Sequence, residues 1–208
     1  MLLYRIGKAD YVRDISGTGG LYGSGRWHRK GTRILYTSLS EPLARLEVLA
    51  NFNIIPPNMK LLTLEIPEDV LTFDQVEEKD LPRGWQQCDP YPPELSAIAQ
   101  DWLQSNKTLG LMVPSIHSSV ERNMLINPQH ALHGRLNIVS VTDVTFDGRI
   151  KRGFAVYTVQ HGDKLAAIAT RFYQDSKKWR LIFEANRDQL NSSSKLTPGM
   201  VLRIPVLD

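Results

Sequence analysis

The chain has 208 residues, 42% of them hydrophobic, and a formal net charge of +3. That length admits one large domain, or one domain with a small module, and four tryptophans help to supply a sizeable core. No run of about 18 apolar residues occurs, so no helical membrane span is expected. The single cysteine, Cys88, excludes an intrachain disulfide.

The opening stretch Met1–Ile6 meets charge at Arg5 and has no long apolar centre, so it does not read as a signal peptide. Five scattered histidines and one cysteine offer no metal-ligand spacing. The charge is uneven. Residues 152–208 hold nine basic and five acidic side chains, a surplus of +4, which leaves −1 for the rest. A basic tail attracts anions in general, but no basic–aromatic cluster of nucleic-acid type accompanies it.

Tyr4–Ile6 reads as a short edge strand. Residues 16–33 carry six glycines among Arg26, Arg29, Lys30 and Arg33, which is loop chemistry. Arg33–Ser38 reads as a buried strand. Ser40 is placed to cap a helix with Pro42 in its first turn, running to about Asn51. Lys60–Ile66 alternates around Leu62 and Leu64 and reads as a strand. Residues 67–93 are proline-rich and irregular. Leu95–Leu103 is an amphipathic helix bearing Trp102, Gly110–Pro114 a strand entering a loop, and Arg135–Val144 a last strand.

Composition shifts near Lys151–Gly153. Beyond it come a strand at Ala155–Val159, helices at Asp163–Tyr173 and Ser176–Ala185, a Pro198-Gly199 turn and a strand at Val201–Ile204. Asp163 is placed to cap the first helix, whose Leu165, Ile168, Ala169 and Phe172 share one face. The fold class expected is α+β: a mixed-sheet domain over residues 1–150 and a small βααβ domain over 154–208.

The segment Tyr157-Thr158-Val159-Gln160-His161-Gly162-Asp163-Lys164-Leu165, with Asn186 and Leu196-Thr197-Pro198-Gly199-Met200-Val201, closely resembles a LysM domain. That resemblance implies binding of N-acetylglucosamine glycans such as peptidoglycan. The groove would involve Gly162, Asp163, Lys164, Leu165 and Asn186. Each of these residues also has a purely structural explanation as a cap, turn or loop bracket.

The front part resembles the RES family. The matching text is Leu3-Tyr4-Arg5-Ile6, Gly25-Arg26-Trp27-His28, Leu35-Tyr36-Thr37-Ser38, Ala44-Arg45-Leu46-Glu47-Val48-Leu49, Val113-Pro114-Ser115 and Glu121-Arg122-Asn123-Met124-Leu125-Ile126-Asn127-Pro128. His28 stands where that family often has asparagine. The resemblance implies a fold like that of ADP-ribosylating toxins and cleavage of NAD⁺ by hydrolysis or phosphorolysis. NAD⁺ is then a substrate and no cofactor is implied. A separate antitoxin or immunity protein is implied as a partner, and neither nucleic acid nor membrane.

The residue types suit that chemistry. Nicotinamide leaves NAD⁺ as a neutral group, so no general acid is needed. Positive charge builds on the ribose and calls for a carboxylate. Glu47 sits on a helix whose neighbours three and four positions away are Leu43, Ala44, Ala50 and Asn51, a largely apolar stripe. Arg26 has the planar fork that grips a diphosphate. Tyr36 can stack on the nicotinamide or place its hydroxyl on the ribose, and Trp27, beside Arg26, joins it as a substrate-binding residue. Ser115 has no activating His or Lys pattern and reads as a donor orienting ribose or Glu47. His117 sits in a loop, which argues against it as a base for Ser115. Asn127, before Pro128, is expected to shape the loop that closes the site, and Glu121 reads as a cap or ion-pair partner. Each residue has an ordinary alternative: an exposed Glu47, a loop Arg26, a core Tyr36.

Two other functions stay open: ADP-ribosyl transfer to a protein acceptor, and a non-enzymatic wall-binding protein with a degenerate RES part. The intact set of Arg26, Tyr36, Glu47 and Ser115 argues against the latter. NAD⁺ places the activity in the cytoplasm while peptidoglycan lies outside it. The expectations that reconcile the two are an effector delivered without a signal peptide, a cytoplasmic toxin whose tail meets another ligand, or a fragment of a longer protein.

Overall fold

The computed structural model describes residues 1–52, 58–88, 90–146, 154–187, 189–190 and 196–206. The composition shift at Lys151–Gly153, and with it the expected boundary at 150, lies outside the described residues. The chain divides into two compact units, Met1–Val48 with Pro56–Thr145, and Leu49–Ile55 with Phe146–Asp208.

The first unit is built on seven strands: β1 (Leu2–Lys8), β2 (Leu35–Ser38), β3 (Met59–Glu65), β4 (Phe73–Gln75), β5 (Gly110–Pro114), β6 (Arg122–Ile126) and β7 (Asn137–Asp143). They form one sheet in the order β4-β5-β6-β2-β1-β3-β7. β4 runs parallel to β5, and the other neighbours are antiparallel. Two helices accompany the sheet, α1 (Glu41–Asn51) and α2 (Pro93–Ser105).

Side chains alternate between the two faces of a strand, and the middle of this sheet is buried on both. Leu3, Leu35, Leu62, Leu64, Met112, Met124 and Ile126 belong to one core. Leu111, Val113 and Leu125 belong to a second, shared with Trp27, Ile34, Trp85 and the Leu95, Ala99 and Trp102 face of α2. Burial on both faces explains why β5 reads in sequence as an unbroken apolar run. On the second face the layer turns polar at one end. Tyr36 and Ser38 on β2 and Asn123 on β6 share the parity of Leu125, and Ser38 pairs directly with Asn123.

Ser40 caps α1 as expected: its Oγ accepts from Leu43 N at 3.2 Å. Three expectations need correction. Tyr4–Ile6 is no edge strand. It is the middle of a seven-residue strand hydrogen-bonded on both sides, to β2 and along its whole length to β3. The stretch 67–93 is not wholly irregular, since it contains β4 and two 3-10 turns. β6 has no strand counterpart in the sequence reading, because Met124, Leu125 and Ile126 are buried on both faces and leave no alternation to read.

The second unit pairs β8 (Phe154–Thr158) with β9 (Val201–Pro205), antiparallel, and carries α3 (Leu165–Tyr173) and α4 (Trp179–Ala185). Its core is Ala155, Val159, Leu165, Ile168, Ala169, Ile182, Leu190, Leu202 and Ile204. α3 starts at Leu165, not at Asp163. The Asp163 carboxylate instead accepts from Gln160 N and Tyr157 Oη, both at 2.7 Å, closing the turn before the helix. Local side-chain bonds of this kind compete with helix extension. Ser176–Lys178 forms a 3-10 turn, with Asp175 accepting from Lys177 N, and α4 follows it.

Asn186 holds this small unit together. Its Nδ2 donates to Ile182 O at 2.7 Å and to Arg203 O at 2.6 Å, and its Oδ1 accepts from Arg203 N at 2.8 Å. The side chain is fully buried and bolts α4 to β9. Replacement with alanine strands buried backbone groups, each costing about 1–3 kcal/mol. Asn186→Ala is expected to destabilise this unit by about 2–4 kcal/mol, seen as faster hydrogen exchange at the β9 amides while the β3 amides stay protected.

Candidate active site

α1 buries Leu43, Ala44 and Val48 and presents Glu47, one turn beyond Leu43, to the polar end of the sheet. Glu47 Oε1 accepts from Asn123 Nδ2 at 2.6 Å and from Ser115 Oγ at 3.1 Å. Its Oε2 lies 3.6 Å from His117 Nε2. The Glu47 side chain keeps 29% of its surface exposed, so it is reachable from solvent. Asn123 Oδ1 in turn accepts from Ser38 Oγ at 2.7 Å. Ser115 Oγ accepts from His117 N at 3.0 Å, so the hydroxyl proton points to Glu47 and not to the His117 ring. The other end of this loop is tied down by Glu121, which accepts from Ser40 Oγ at the start of α1.

Tyr36 is anchored through its hydroxyl. Oη accepts from Trp27 N at 3.1 Å and lies 2.9 Å from His28 Nδ1. His28 Nε2 lies 3.0 Å from Gly23 O, which can only accept. The network therefore assigns the proton to Nε2 and leaves Nδ1 to accept from Tyr36. The glycine-rich loop folds tightly around this ring. A Cβ on Gly25 would sit 2.8 Å from His28 Cε1 and 3.1 Å from Tyr36 Oη, and one on Gly20 would sit 2.1 Å from Thr32 O. Burial raises the Tyr36 pKa; the Trp27 amide opposes this, Tyr91 and Glu47 add to it, and Arg26 offsets part. Tyr91, Arg26 and Glu47 thus each act on Tyr36 electrostatically.

Arg26 lies over the rings of Tyr91, at 5.1 Å, and Trp85, at 5.9 Å. Its guanidinium donates to Trp85 O, to Gln87 O at 3.0 Å and to Gln86 O at 3.3 Å, and approaches Cys88 Sγ at 3.3 Å. The fork that the sequence reading assigns to a diphosphate is held here by a turn of backbone carbonyls.

Two expected site residues stand apart from this group. The Trp27 indole is buried in the core beside α2, and only the backbone N–H of Trp27 reaches the site. Asn127 lies four residues beyond Asn123, about 13 Å along β6. It is fully buried, donates to Asn106 Oδ1 at 2.9 Å and accepts from Gln129 N at 3.0 Å. Asn106 is the left-handed residue that ends α2, so Asn127 shapes that corner. Asn123 and the Trp85–Cys88 turn went unnoticed in sequence. Asn123 was visible only as a member of the 121–128 block, two residues from Leu125 and so on the same face.

In the second unit Gly162 sits in an exposed turn with φ of 85°, and Lys164 is exposed. Leu165 is core and Asn186 is fully buried, so neither side chain offers a surface to a glycan. Asp163 is committed to the 157–160 turn.

Residues 2–149 match the RES domain family, and residues 157–205 match the LysM domain family. The chain belongs to the RES domain family. Behind the RES domain it carries a LysM domain. "Toxin Res" of Pseudomonas putida is 36% identical over 155 residues, covering 72% of this chain and 99% of that protein. The "Prs ADP-ribosylating toxin" of a Sphingobium species is 37% identical over 120 residues, covering 56% of this chain and 74% of that protein. The crystal structure of the Mycobacterium tuberculosis MbcT–MbcA toxin–antitoxin complex contains a chain with the same fold, with a TM-score of 0.56. That likeness comes at 16% identity and covers 69% of this chain and 84% of that one.

Burial lowers the His28 pKa, partly offset by the bond to Gly23 O. A group held neutral in the fold contributes stability that is complete above its unfolded value, about 6.5, and is lost as pH falls toward the folded value. Urea midpoints of the wild type relative to His28→Asn are therefore expected to drop as pH falls below about 6.5. A difference independent of pH would contradict the buried neutral ring.

Proposed function

We propose that the RES domain consumes NAD⁺ by breaking the bond between nicotinamide and ribose, and that the LysM domain binds N-acetylglucosamine glycans such as peptidoglycan. The observation that carries the first part is the Glu47 carboxylate, held by Ser115 and Asn123 and coupled electrostatically to Tyr36 together with Arg26. We place the two domains at residues 1–150 and 154–208.

In this reading the C–N bond breaks with its electron pair leaving on nicotinamide, which becomes neutral. The ribosyl cation forms beside Glu47, whose negative charge stabilises it. Ser115 orients the carboxylate. Tyr36 donates its hydroxyl hydrogen bond to His28, so its ring face and remaining lone pair are what it offers the nicotinamide ribose. Arg26 takes the diphosphate in exchange for the carbonyls of Trp85, Gln86 and Gln87. A doubly charged acceptor competes well there, because charge-assisted hydrogen bonds are roughly twice as strong as neutral ones. Water then attacks to give ADP-ribose and a proton, or phosphate attacks to give ADP-ribose 1″-phosphate.

Glu47→Gln keeps the shape and removes the charge. Its kcat for nicotinamide release is expected to fall at least about 100-fold with an unchanged circular dichroism spectrum. Full turnover by this variant would overturn the mechanism. A second reading, transfer of ADP-ribose to a protein acceptor, is favoured by similarity to the ADP-ribosylating toxin of Sphingobium. It shares the ribosyl cation, and mass spectrometry of the products separates the two.

The likeness of the fold to a chain of the Mycobacterium tuberculosis toxin–antitoxin complex supports a separate inhibitor protein as partner. Among the described residues no helix is long and apolar enough to cross a membrane, and NAD⁺ as substrate places the activity in the cytoplasm. For the LysM domain, the full chain is expected to co-sediment with peptidoglycan sacculi and a chain ending at residue 150 to stay in the supernatant. Co-sedimentation of both would assign the binding elsewhere.

A further inference from the structure

We infer that Asn123 is the positioning residue for Glu47, a role that rests on the reading of Glu47 as the carboxylate that faces the ribosyl cation. Two donors converge on Oε1, and they differ in what sets their direction. The Ser115 hydroxyl rotates about its C–O bond and points wherever an acceptor lies. The Asn123 amide is planar and engaged at both ends. Ser38 Oγ donates to Oδ1 at 2.7 Å, and Nδ2 faces the Glu47 carboxylate, which can only accept. Ser38 and Asn123 are direct partners in the β2–β6 ladder, so the backbone fixes both ends of this short bridge. Nδ2 then donates to Oε1 at 2.6 Å, against 3.1 Å for Ser115. Asn123 therefore sets where the carboxylate stands, and Ser115 follows.

The choice of an amide has a chemical consequence. Lysine or arginine at this position would also hold the carboxylate but would cancel the charge that the ribosyl cation needs. Asn123 donates without bringing a positive charge of its own. On the other oxygen, His117 Nε2 stands at 3.6 Å, within ion-pair range.

Nicotinamide release by the full chain, at varied NAD⁺ concentration, tests this with Asn123→Ala, Asn123→Asp and Ser38→Ala. Misplacing a reacting group by about 1 Å can cost about 100-fold, and a fall in kcat of about 10–100-fold is expected for Asn123→Ala. KM should stay within about threefold, because the lost interaction acts on the transition state. Asn123→Asp matches asparagine in size but faces Glu47 with a second carboxylate, so its kcat should fall below that of Asn123→Ala. Ser38→Ala, which frees the amide to turn, should shift kcat in the same direction by less.

A role in packing alone predicts the reverse order, with the isosteric aspartate the milder change, and that order would overturn the inference. A loss confined to KM would do the same. Circular dichroism reports the fold of each variant, and Ser38→Ala decides the matter if an Asn123 variant fails to fold. A wild type that releases no nicotinamide overturns the reading of Glu47 itself. An active wild type matched by its variants overturns only the role of Asn123.

Discussion

A carboxylate on a helix that is to meet a cation, as we propose for Glu47, must be held by groups that bring no positive charge of their own, and two neutral donors hold one oxygen of Glu47. Glu47 on α1 is gripped through one oxygen by Asn123 on β6 and by Ser115 beyond β5. Hydrogen bonds to a charged group contribute about 1.5–3 kcal/mol each, enough to offset the partial burial of a side chain that stays 29% exposed. The same bonds join a helix to the end of a sheet, so site geometry and tertiary structure rest on the same contacts. Ser40 and Glu121 repeat the theme, one capping α1 and the other tying the 115–121 loop to that cap.

Tyr36 and Arg26 are held in different ways. The Tyr36 hydroxyl is committed to Trp27 N and His28, inside a loop whose glycines leave room for the imidazole. It is a fixed wall of the site. Arg26 is held by carbonyl oxygens from a single turn, Trp85–Gln87, which an anion can displace by charge. The contrast between an anchored aromatic and a cation held by carbonyls fits the proposed role of Arg26 in holding the diphosphate of NAD⁺.

The LysM domain follows a separate logic. Its core is small, and one buried amide does the work that a larger domain would spread over many contacts. Asn186 satisfies one carbonyl on α4 and both backbone groups of Arg203 on β9. A residue so used cannot also present its amide to a sugar, so the family pattern at this position encodes the fold and not the ligand.

Much of this was legible from residue order. Hydrophobic periodicity located α1, α2, β3 and β5 to within a few residues, because strand and helix repeats depend on neighbours along the chain. Ser40 was recognisable as a cap for the same reason. The blocks around Arg26, Tyr36, Glu47 and Ser115 carried the RES resemblance. Relations between segments were decided only in three dimensions. Only the β2–β6 register shows that Ser38 faces Asn123 and that Asn123, not Asn127, meets Glu47. Nor does local sequence show that Arg26 rests on the 85–87 carbonyls or that Asp163 closes a turn in place of capping a helix. Periodicity tells which side of an element a residue lies on; which other element meets it there is settled by packing between segments distant in sequence.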